Sequence, residues 1–117
     1  MARLRQVARV AGSLTLLVGV VHIGVGLREY AWPSFDALWF HGSGIALLLI
    51  GALTALAASE RAWRTLGAVA LSANLLGLAL GVAFGTLSRW SAPQGPVLIA
   101  LFAAGALGCL PSLKQTR

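Results

Sequence analysis

Two histidines, His22 and His41, stand in stretches otherwise made of Val, Leu, Ile, Ala and Gly. Neutral imidazole is a common axial ligand of haem iron, and facing helices are a usual place to mount one. His22 precedes the charged pair Arg28-Glu29 by about two turns, and His41 follows the break at Trp32-Pro33-Ser34 by about as much. At 1.5 Å per residue both come to lie roughly 8 Å below one membrane boundary, so they share a layer. Gly19, Gly24 and Gly26 flank the first, Gly42 and Gly44 the second, and Gly81 to Gly85 fall at matching depth. Imidazoles among missing side chains outline a bis-histidine haem or quinone site. The competing reading, which we favour, has each imidazole donating to a carbonyl or hydroxyl of a neighbouring helix while the glycines permit tight packing. On that reading no cofactor is expected, with haem or quinone as the alternative. No Glu, Cys or further His joins the pair, so no metal site is expected.

Other polar groups within or beside the apolar stretches are few. Asp36 follows Ser34, and the pair reads as a helix cap with an acid against the positive end of the helix dipole. Glu29, seven residues after His22, falls on roughly the same helix face. Together Glu29 and Asp36 form the alternative reading, a proton or cation acceptor at an outer vestibule. Asn74 lies about 10 Å deeper than the histidines and reads as an interhelical hydrogen bond that fixes register. Cys109, the only cysteine, reads as a small buried apolar residue and excludes an intramolecular disulfide. No Ser-His-acid set falls within plausible reach, there is no glycine-rich phosphate loop, and no span holds paired carboxylates. Catalysis on a soluble substrate is not expected.

The elements that must position these residues follow from composition. Of 117 residues 58% are hydrophobic and only 10% charged, against about 25% charged in an ordinary soluble domain. The pattern predicts an all-α fold: a four-helix transmembrane bundle, up-down-up-down, in one domain over residues 1–117, with spans near 7–27, 35–58, 63–87 and 96–110. Arg3, Arg5 and Arg9 precede the first span, Ser59, Glu60, Arg61 and Arg64 make a polar hairpin after the second, and Pro93, Gly95 and Pro96 mark the last linker. The fourth run falls short of the roughly 20 residues a spanning helix needs, so it must extend at an end or meet a thinned membrane. The basic start resembles a signal peptide, but the apolar core to Leu27 is long and no small-x-small cleavage site follows, so the first span is read as retained.

The net charge of +6 is not a nucleic-acid patch, because the basic residues sit in small groups at span ends. Arg3, Arg5, Arg9, Arg61, Arg64, Lys114 and Arg117 fall on one side against Arg28 and Arg89 on the other, which places both termini in the cytoplasm. Trp32, Trp39 and Trp90 on the outer side, and Trp63 on the inner, fit interfacial belts. Small residues mark packing faces: Gly77, Gly81 and Gly85, with Ala73 one step earlier, in the third span; Ala100, Ala104 and Gly108 in the fourth; Gly12, Gly19 and Gly26, beside Ala8, Thr15 and His22, in the first. They serve equally to pack helices of one chain or to join two copies.

The stretch Val20-Val21-His22-Ile23-Gly24, followed by Ala37-Leu38-Trp39-Phe40-His41-Gly42-Ser43-Gly44-Ile45-Ala46-Leu47-Leu48-Leu49-Ile50-Gly51, resembles a group of small bacterial four-helix membrane proteins. Those carry a histidine near the outer end of the first helix and an aromatic, glycine- and leucine-rich start to the second. The resemblance covers about the first half of the chain and implies a protein of the bacterial inner membrane, with no activity attached. Length and span number also resemble small multidrug-resistance transporters. That family depends on a glutamate embedded in the first helix, and Val7 to Leu27 holds no carboxylate, so drug-proton exchange is not expected. Three functional classes remain: a structural or interaction subunit of a membrane assembly, which we favour; a transporter with an intramembrane histidine; and a redox protein holding haem or quinone. The expected partners are the lipid bilayer and a second copy or another membrane protein, with no nucleic acid.

Overall fold

The computed structural model of the chain describes residues 1–59 and 63–114. They form four α-helices, α1 (Ala2–Glu29), α2 (Phe35–Ala57), α3 (Arg64–Leu87) and α4 (Gln94–Cys109), ending in a 3₁₀ turn, Leu110–Lys114. Successive helices run antiparallel, and α4 returns to pack against α1, which closes the bundle. It is 49 Å long and 27 by 18 Å across, long enough to pass a hydrocarbon core of about 30 Å and reach both headgroup layers. All four helices are long and apolar enough to cross a membrane.

The boundaries show what each break does. α1 begins at Ala2 rather than Val7, because arginine is a good helix former and the helix simply continues through Arg3, Arg5 and Arg9. At the start of α2 the Ser34 hydroxyl accepts from the Ala37 amide at 3.1 Å, with Asp36 in the first turn. The end of α3 is a left-handed cap: Arg89 and Trp90 have φ of 51° and 59°, the Trp90 amide donates to Gly85 O at 2.8 Å, and the Arg89 amide donates to Thr86 O at 3.1 Å. Trp90 folds its ring back over Gly85, where a β-carbon would overlap the indole. Of the polar hairpin between α2 and α3, Glu60 and Arg61 lie outside the described residues, as does Arg117.

The fourth span reaches the needed length by extending at both ends. It starts at Gln94, two residues before Pro96, and the 3₁₀ turn carries it through Pro111 to Lys114, 21 residues in all. Pro111 and Ser112 are buried there, and Ser112 fits against Gly67 of α3. The tighter turn accommodates the missing amide of proline without ending the span.

Packing differs between the two ends of the bundle. Toward the end that carries both termini, Ala57, Ala70 and Cys109 form a buried cluster wrapped by Leu53, Leu66 and Leu71, and Phe102 lies over Gly77. Toward the opposite end, from the level of Gly19 outward, the fully buried positions are Gly19, Gly26, Ala37, Gly44, Gly81, Gly85 and Gly95. There glycines and backbone form much of the contact, and Ile23, Phe40, Ile99 and Trp90 lie against those glycines.

Candidate functional site

The α1 and α2 backbones touch at two levels, and this contact sets the position of the histidines. A β-carbon on Gly12 would come within 2.8 Å of Gly51 O, and one on Gly51 within 2.7 Å of Gly12 O. Further along, a β-carbon on Gly19 would stand 3.0 Å from Gly44 O, while one on Gly44 would strike the Ile23 side chain. So close an approach brings polar side chains of one helix within hydrogen-bond reach of the other.

His22 uses it. Its Nε2 lies 2.9 Å from Ser43 Oγ on α2, and Ser43 Oγ donates to Trp39 O at 2.7 Å, with Phe40 O also in reach at 3.2 Å. With the hydroxyl proton on a carbonyl of its own helix, Nε2–H donates to Oγ; with that proton turned to the ring, Nε2 accepts it. One face of the ring is covered by Phe40, parallel to within 7° at a centroid distance of 4.4 Å, and Tyr30 leans on Phe40 from the loop at 4.7 Å. The arrangement clasps α1 to α2.

His41 is held differently. Its Nδ1 donates to Ala37 O, one turn back on the same helix. The ring stands edge-on to Trp32 of the loop at 5.9 Å and fills the space left by Gly26, where a β-carbon would lie 3.3 Å from His41 Cε1. The two imidazoles therefore occupy neighbouring positions at the α1–α2 contact but engage separate partners. Of the glycines around them, Gly19, Gly26 and Gly44 are closed by close contact, while Gly24 and Gly42 face open space outside the contact. Gly81 and Gly85 serve Ile99 and Trp90. At Gly19, Gly26 and Gly44 the glycine-rich layer is thus a zone of close approach between helices. Among the described residues no group of three or more His, Cys, Asp or Glu comes together.

The two carboxylates stay at the surface. Glu29 pairs with its neighbour Arg28 at 3.6 Å, both exposed, and Asp36 is an exposed first-turn residue of α2. Neither bonds to a histidine among the described residues.

Asn74 forms the second polar contact, at the junction of α2, α3 and α4. It is buried, and its Nδ2 donates to Thr54 Oγ1 of α2 at 2.7 Å and to Ala70 O at 2.8 Å. Thr54 passes its own proton to Ile50 O at 2.7 Å. The amide lies against Gly105 of α4, where a β-carbon would collide with it. The ridge it occupies on α3 runs through Gly67, Ala70, Asn74, Gly77, Gly81 and Gly85, with Ala73 displaced to its edge. On α4 the expected stripe divides: Ala100 is exposed and Ala104 half-buried, while Gly108 rests on Ala8 of α1. The α4 face toward α3 is Phe102 and Gly105 instead. α4 is apolar all round, so its sequence gives no phase, and being wedged between α1 and α3 it needs two close-packing faces. Cys109 is buried in the cluster with Ala57 and Ala70.

Ser43 and Thr54 are the residues that sequence reasoning passed over. Each had one available signal, a hydroxyl one turn after a backbone carbonyl it could bond, at a depth matching His22 or Asn74. No protein family, curated protein or solved structure matches this chain.

Proposed function

We propose that this chain is a structural or interaction subunit of a membrane assembly, held in the bacterial inner membrane with both termini in the cytoplasm. The observation that carries the reading is the use of polar side chains within the spans. His22 is joined to Ser43 and Asn74 to Thr54, and no buried side-chain nitrogen or oxygen of the described residues lacks a partner. Groups that would otherwise serve a ligand or a proton are spent on holding helices together. What the protein presents is its outer surface, where Trp39, Leu49, Leu76 and Leu80 are all more than half exposed. The glycine ridges are taken up inside the chain, so a partner would meet side chains on this surface rather than a small-residue groove. The orientation rests on the excess of Arg and Lys at the end with the termini.

Isolation from native membranes in a mild detergent, at natural expression, tests this. The expected result is a stoichiometric complex larger than the chain, with the His22→Ala/His41→Ala variant changed only in stability or yield of complex. A lone monomer carrying a haem band or bound quinone that the double variant loses would contradict it. So would substrate flux abolished by His22→Ala alone.

A further inference from the structure

Beside the contact of Gly108 with Ala8, α1 and α4 leave an open groove of about 270 Å³. Val7, Val10 and Leu14 form its α1 wall and Leu101 and Ala104 its α4 wall, and Gln6 is the polar residue at the end nearest the N-terminus. On a helix Arg3 falls on the same stripe as Val7, Val10 and Leu14, one turn beyond them. Arg3 is exposed and has no ion pair or hydrogen bond among the described residues, and neither α4 nor the part of α1 before Glu29 contains a carboxylate. Arg5 lies on the opposite side of α1 from Arg3.

We propose that this groove is a binding site for an anionic phospholipid, with an acyl chain along Val7, Val10, Leu14, Leu101 and Ala104 and the phosphate on Arg3 and Gln6. The match is one of charge and depth. An apolar channel runs along the helices toward a guanidinium at headgroup level that has no partner among the described residues and suits a phosphate in bidentate fashion, beside the Gln6 amide. The inference does not depend on which way the chain crosses the membrane, since either orientation puts Arg3 at a headgroup layer.

Native mass spectrometry of the full chain in micelles, titrated with phosphatidylglycerol or phosphatidylcholine, is the test. The parent should hold one phosphatidylglycerol in preference to phosphatidylcholine, and glycerophosphate without acyl chains should not displace it. Arg3→Gln should weaken that binding roughly tenfold, the scale of one charge-assisted hydrogen bond. Ala104→Phe, which fills the groove, should abolish it, and Ala104→Leu serves if the phenylalanine variant fails to fold. Arg64→Gln, the same loss of charge on α3, which does not line the groove, should leave it unchanged. An equal loss in Arg64→Gln would mean that only net charge matters, and absence of preference in the parent would overturn the site. A parent that binds no lipid but runs as a dimer split by Ala104→Phe would give the groove to a second copy.

Discussion

Asn74 shows how much one polar side chain carries in a bundle with so little side-chain core. It is fully enclosed, joins α2 to α3 through Thr54, and leaves room for itself only because residue 105 is glycine. Asn74→Ala should therefore cost about 0.5 to 2 kcal/mol in unfolding measured in bicelles, the range for interhelical hydrogen bonds and their loss. Thr54→Ala added to it should cost little more, because the two share one contact. That Asn74 would bridge helices was legible in the sequence, since an amide deep in an apolar run has few alternatives. Its partner was not, because a threonine that bonds its own helix looks the same whether or not a second helix is present. The same holds for Ser43 beside His22: sequence spacing put both histidines toward one end of their helices, but the rotation of α1 against α2, which decides that His22 meets serine and His41 meets Trp32, is set by glycine contacts at Gly12, Gly19, Gly44 and Gly51.

Those contacts make the helices unequal in their tolerance of change. Gly44→Leu should push α1 from α2, because Gly19 O and Ile23 already touch that position, and a loss of about 1 to 3 kcal/mol is expected for overpacking. Gly42→Ala, two residues away and facing open space, should be neutral or stabilise by roughly 0.5 to 1 kcal/mol through helix propensity. Equal effects at the two positions, read as melting temperatures side by side, would contradict the register. At the end of α3 the left-handed backbone of Arg89 is unfavourable for any side chain with a β-carbon. Arg89→Gly should raise unfolding free energy by about 0.5 to 1 kcal/mol, checked by the same melts. The helices and their turns were legible from Pro, Gly and charge placement. The phase of α4 was not, because a helix apolar on every side carries no record of which faces meet protein and which meet lipid.

Over the whole molecule, three helix pairs have touching or nearly touching backbones, α1 with α2, α1 with α4 and α3 with α4, and a side-chain core gathers around Ala57, Ala70 and Cys109, near the end that carries both termini. Reporter fusions at Met1 and after Lys114 should both be active in the form that requires the cytoplasm; opposite results at the two termini would rule out an even number of crossings. Such a bundle is closed inside by glycine and by a few paired polar groups, and meets its surroundings through bulky apolar side chains. That those polar groups hold helices rather than a ligand is tested most directly by a double-mutant cycle on His22 and Ser43, with unfolding of the parent, His22→Ala, Ser43→Ala and the double variant measured in bicelles. A coupling near 1 kcal/mol is expected for the Nε2 to Oγ bond seen at 2.9 Å. Strictly additive losses would mean that the bond contributes nothing to the fold and would return His22 to the search for a ligand.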